Sequence, residues 1–161
     1  MIENPAIVAT EERAAAVIPI IVPCSDMPKV MPSAVRELLT VITHQGLAPQ
    51  GPLFAHHLRM PSDVFDFEVG FPIAGRIEPT DRVRPGALPA ATIARTVYRG
   101  PYEGLGSAWA AFIATLQAER TLDAAGLKSA GDFWETYLTG PESGEDSAMF
   151  RTELNLRLTS V

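Results

Sequence analysis

The stretch GDFWETYLTGP (131–141) sets one carboxylate, Glu135, among Phe133, Trp134, Thr136, Tyr137 and Leu138, residue types that favour a pleated strand. A charge between bulky apolar neighbours is costly unless something compensates it. Two kinds of chemistry could use such a group. A cationic, planar guest would gain a counter-charge from Glu135 and stacking or cation–π attraction from Phe133 and Tyr137. Alternatively, burial would raise the carboxyl pKa and suit Glu135 to act as a general base or acid. Glu68 and Glu153 recur in two other strand-like segments, and His57 adds a ring that titrates near neutrality.

Other chemistries have weaker footing. Cys24 is the single cysteine, so there is neither an intrachain disulfide nor a CxxC motif. His56 and His57 are adjacent and point to opposite faces of a strand, which speaks against a shared metal. GPYEGLG (100–106) lacks both GxGxxG spacing and a following GK[ST], and no GxSxG elbow occurs. No metal and no cofactor is expected. The net charge of −6 and the pI of about 5.0 argue against a nucleic-acid surface. The start MIENPAIVATEER has no basic region typical of a signal peptide. The apolar run 14–23 is too short to span a bilayer. The expectation is a cytoplasmic protein with no membrane partner; a homodimer stays open.

The elements that must position these residues read as a repeat. Two amphipathic helices are expected, MPSAVRELLTVITHQG (31–46) and YEGLGSAWAAFIATLQAE (102–119). Pro32 suits a first helical turn and Gly46 a stop. Trp109, at helical spacing with Phe112 and Ile113, reads as core. Each helix follows an extended apolar segment, from Arg13 and from Leu88, and precedes two strand-like segments: 51–58 and 65–73, then 131–138 and 150–158. In register, Phe54 matches Trp134, Ala55 matches Glu135, His57 matches Tyr137, and Glu68 matches Glu153.

The pattern predicts an α+β fold, a duplicated βαββ module forming a curved antiparallel sheet with two helices on one face. A single domain over 1–161 is expected, with repeats at 1–78 and 84–161 and a linker at 75–86. Alternation sends Phe65, Phe67, Val69, Leu154 and Leu156 toward the helices. The repeat register then puts Phe133, Glu135 and Tyr137 on the opposite face. A cleft between the modules would gather them with His57, Glu68 and Glu153.

GPYEGLGSAW (100–109), DFWETYLTGP (132–141) and FRTEL (150–154), with GPLFAHH (51–57) and DFEVGFPI (66–73), resemble the GyrI-like small-molecule-binding family. That family includes the effector-binding domains of AraC- and MerR-type regulators. The resemblance covers nearly the whole chain. It implies tandem SHS2-like modules with a ligand cleft where they meet. It also implies a glutamate at the base of an aromatic pocket for lipophilic cations. That role carries onto Glu135, with Tyr137 and Tyr102 as aromatic walls and Glu153 as a further acid. His57 stands where members often have tyrosine. The favoured expectation is a stand-alone multidrug- or effector-binding protein. The alternatives are a hydrolase of cyclopropane-bearing electrophiles, with Glu135 assisting water attack, and a gyrase-inhibitor-like interaction protein.

Overall fold

A computed structural model describes all residues from Met1 to Val161. The strands are β1 (Ala6–Thr10), β2 (Arg13–Pro23), β3 (Phe54–His57), β4 (Val64–Pro72), β5 (Arg84–Leu88), β6 (Ala91–Arg99), β7 (Leu127–Thr139) and β8 (Arg151–Ser160). The helices are α1 (Met27–His44), α2 (Leu105–Ala118) and the short α3 (Thr121–Ala125). The chain divides into two compact units, Glu11–Ala90 and Met1–Thr10 with Ala91–Val161. Each contains the β-α-β-β order read from the sequence, and all their strand pairs are antiparallel. The α+β architecture of duplicated βαββ modules is therefore present.

Each unit carries one strand that the repeat did not announce. In the Glu11–Ala90 unit the order is β3-β4-β2-β5, so β5, which begins at the end of the expected linker and runs past it to Leu88, closes the outer edge of β2. In the other unit the order is β1-β6-β8-β7. There β1 pairs with β6 from Ala6↔Arg95 to Thr10↔Ala91, although some 80 residues separate them. The buried Thr96 hydroxyl donates to the Glu3 carbonyl at 2.7 Å, which ties the N-terminal segment to the same unit. Short, weakly patterned strands such as these follow the edge they satisfy rather than their place in sequence.

Helix α1 begins a turn before the expected start. Pro28 occupies the first turn instead, and Pro32 lies inside the helix. Gly46 does end it, with a φ of +73° that suits glycine. Helix α2 is preceded by a 3₁₀ turn, Tyr102–Gly104, which resolves the ambiguous glycine-rich start.

Both units bury one face of their sheet against a helix. In the Glu11–Ala90 unit, Ile18 pairs with Val69 and Ile20 with Phe67, and all four are buried, whereas Pro19 and Ile21, which alternate with Ile18 and Ile20, are exposed. In the other unit, Ala94, Leu154, Leu156 and Leu158 form one core cluster with Ala108, Phe112 and Leu116 of α2. The apolar faces expected for β4 and β8 are the ones observed.

Gly70 on β4 is a point of close approach. A Cβ there would lie 2.5 Å from the Ala16 carbonyl and 2.8 Å from Val17 Cγ1. Backbone cannot yield as a side-chain tip can. Gly70→Ala is expected to destabilise the protein by about 3 kcal/mol, read as a lower urea midpoint at unchanged slope.

Candidate functional site

The register of β7 on β8 decides where Glu135 points. Phe133 pairs with Leu156, Glu135 with Leu154, and Tyr137 with Thr152. Paired residues share a face, and Leu154 and Leu156 belong to the α2 core. Glu135, Phe133 and Tyr137 therefore face the helix, opposite to the face expected from sequence. The correction has a simple cause. Trp134 is the larger apolar residue and looks like the inward one. Instead it pairs with Asn155, whose amide donates to the Trp134 carbonyl at 3.3 Å.

What makes room for a carboxylate beneath a helix is a pair of neutral donors. The Trp109 indole Nε1–H donates to Glu135 Oε2 at 2.7 Å, and the Tyr137 hydroxyl donates to Oε1 at 2.9 Å. Glu135 is only 6% exposed. Burial raises its pKa, and the hydrogen bonds from Trp109 and Tyr137 work in the opposite direction. No cationic side chain is among its partners. The Tyr137 phenol is raised well above its usual range by burial and by the adjacent Glu135, so it remains a donor.

Tyr102, in the 3₁₀ turn before α2, covers this group from the solvent side. Its ring meets Tyr137 edge-on at 5.7 Å and Phe150 at 5.3 Å, while 37% of the residue is exposed. Burial first, then Glu142 and Glu135, raise its pKa. Gly140 is required beside it, because a Cβ there would collide with the Tyr102 hydroxyl and sit 2.9 Å from Glu142 Oε2. On the inner side Phe133 packs edge-on against Trp109 at 4.7 Å. Trp109 is thus both core and site, and sequence spacing showed only the first role. A signal for the second did exist, since a partly buried indole N–H needs an acceptor.

The remaining candidates lie elsewhere. Glu153 is on the opposite face of β8, ion-paired with Arg95 at 3.4 Å and accepting from the Asn155 amide at 3.3 Å. Arg95 Nε also donates to Asn155 Oδ1 at 2.8 Å, which makes this a closed polar network. Glu68 and His57 belong to the other unit. Glu68 pairs with His56 and Pro19, on the face opposite to His57. His57 is buried, stacked on Phe67 at 5.3 Å and edge-on to Phe65 at 5.2 Å. Burial, aided by His56, lowers its pKa to about 4. No group of three or more His, Cys, Asp or Glu is placed to hold a metal ion, and no helix is long and apolar enough to cross a membrane.

Residues 3–159 match the description of the GyrI-like small molecule binding domain. The chain belongs to this family. Its fold is similar to the EcmrR C-terminal domain, with a TM-score of 0.80 at 20% identity over 98% of both chains. It also resembles EcmrR in its DNA complex, with a TM-score of 0.77 at 21% identity, covering 98% of this chain and 58% of that one. The chain thus spans little more than half of that regulator. SAV2435 bound to tetraphenylphosphonium is similar at a TM-score of 0.62 and 9% identity, covering 98% and 94% of the two chains. No curated protein matches the sequence. At these identities the likeness is one of fold, and the family membership makes this a small-molecule-binding domain.

Two pH dependences of opposite sign follow. Glu135 binds its proton more tightly folded than unfolded, so its contribution to stability falls as pH rises through and above the ordinary glutamate range. Glu135→Gln can keep both hydrogen bonds, with the Tyr137 hydroxyl then accepting. Its melting temperature is expected to exceed wild type at pH 8, and the difference should shrink toward pH 4. His57 behaves in the reverse sense. Its folded pKa of about 4 lies below the unfolded value, so its stability contribution is full above about pH 6.5 and is lost as pH falls to about 4. The loss is on the order of 3 kcal/mol. Urea titrations of His57→Gln across that window are expected to lack this portion of the wild-type slope.

Proposed function

We propose that the helix-facing surface around Glu135 binds lipophilic cations, with Glu135 as the anionic anchor and Tyr137, Tyr102 and Trp109 as aromatic walls. One observation carries this reading: a buried carboxylate whose partners, Trp109 and Tyr137, are both neutral. Such a group retains an unmet demand for positive charge. A quaternary cation meets that demand without needing a hydrogen bond, and the surrounding rings offer it their negative faces. Tyr102 is the most exposed member of the aromatic set, which marks the side of approach. Membership of a small-molecule-binding family supports a ligand role, and the tetraphenylphosphonium complex of a structural neighbour supplies a probe. Phe133, against Trp109, supports the wall from behind. Glu153, already paired with Arg95, and the buried His57 and half-buried Glu68 of the other unit are not part of this reading.

The charge has a consequence for pH. A cation favours the ionised carboxylate, so binding releases a proton wherever Glu135 is protonated in the free protein. Tetraphenylphosphonium does not titrate, so any pH dependence belongs to the protein. Calorimetric titration is expected to show affinity rising with pH until Glu135 is fully ionised. Glu135→Gln should bind at least about tenfold more weakly at neutral pH, with a flat profile, which corresponds to about 1.4 kcal/mol. Equal affinity in wild type and Glu135→Gln would remove the anchor role.

A further inference from the structure

Across the same face, three hydroxyl side chains stand in a row on adjacent strands: Tyr98 on β6, Thr152 on β8 and Tyr137 on β7. The outer two are committed. Tyr98 donates to the Pro101 carbonyl at 2.9 Å, and Tyr137 donates to Glu135. Thr152 in the middle is 0% exposed, and its Oγ1 has no hydrogen-bond partner. The contrast with Thr96 is instructive. That threonine, equally buried in the same unit, finds the Glu3 carbonyl. Leu154 on the same strand and Phe150 just before it flank Thr152 two residues away on either side, and neither offers a polar side-chain atom.

An orphaned buried hydroxyl is expensive, because it has given up water and gained nothing. Its surroundings make it more than a packing defect. It shares a cross-strand pair with Tyr137, one of the two donors to Glu135. A guest that reaches the carboxylate must move the Tyr137 ring, and that ring belongs to the residue paired with Thr152. We propose that Thr152 is a specificity-determining residue of the Glu135 site, whose hydroxyl hydrogen-bonds a neutral polar group carried by the cationic guest. This inference rests on the cation-binding reading above and narrows it. The site then discriminates between a purely hydrocarbon cation and one bearing a hydroxyl, ether or carbonyl oxygen. A site that leaves its own polar group unpaired with one ligand and satisfied with another discriminates strongly for its size.

A matched pair of probes isolates the effect: tetraphenylphosphonium and (4-hydroxyphenyl)triphenylphosphonium, which differ by one oxygen. Wild-type protein is expected to bind the hydroxylated cation about tenfold more tightly. Thr152→Val keeps the shape and removes the hydroxyl. It should bind both probes alike, within about twofold of the wild-type affinity for the parent. Its unliganded melting temperature should rise, since a desolvated orphan has been removed. Thr152→Ser retains the hydroxyl and should retain the preference. A wild type without preference, or a preference that survives in Thr152→Val, overturns the inference and leaves Glu135 as anchor untouched. A lower melting temperature for unliganded Thr152→Val also overturns it, because the hydroxyl would then be satisfied in the free protein. If the parent phosphonium does not bind wild type at all, the cation reading falls and takes this one with it.

Discussion

The hydrogen bonds that Trp109 and Tyr137 donate to Glu135 are the interaction on which the second unit is organised. The Trp109 bond links β7 to α2, and the Tyr137 bond holds the carboxylate from within β7, at a point where the helix otherwise packs through hydrocarbon and ring. A carboxylate would otherwise be excluded from that layer by its desolvation cost. Two neutral donors lower the cost without neutralising the charge. The arrangement is therefore tolerable in the folded protein and still short of a cation. That residual demand is what distinguishes it from the closed network of Arg95, Glu153 and Asn155 on the other side of the same strands.

The surrounding backbone serves this arrangement. The 3₁₀ turn Tyr102–Gly104 sets the Tyr102 ring against Tyr137 and Phe150. Gly140 leaves the space that the Tyr102 hydroxyl and the Glu142 carboxylate occupy. The sequence GPYEGLG, which resembles a phosphate loop only superficially, is thus a device for placing one aromatic side chain. Its glycines are explained in part by Tyr98, whose hydroxyl and ring fill the space a Cβ would take at Gly100 and Gly104. Crowding by Tyr98 accounts for glycine at these two positions.

Much of the architecture was legible because it rests on local periodicity. Both long helices, the strands β2 and β4 and the apolar face of β8 lie within a few residues of their sequence reading. Alternation works there because inward residues are apolar and outward ones polar. It fails in β7, where Phe133, Trp134 and Glu135 are all buried, so neither face carries a solvent-facing polar pattern. No single-strand pattern shows that Glu135 will meet Trp109, which lies 26 residues away. The edge strands β1 and β5 escaped notice for a related reason. They are short, and their pairing with β6 and β2 satisfies backbone groups rather than any side-chain pattern.

The sequence by itself determined the duplicated βαββ order, the family and the identity of the unusual residue. Glu135 stands where the first repeat has Ala55, so the fold does not demand it. Only the tertiary structure decided which way Glu135 points and what meets it. Strand register is a property of two strands together, and a shift of one residue sends every side chain to the other face. The pairing of Glu135 with Leu154 turned the carboxylate toward α2 and away from Glu153, and it set Tyr137 beside Thr152, the hydroxyl without a partner.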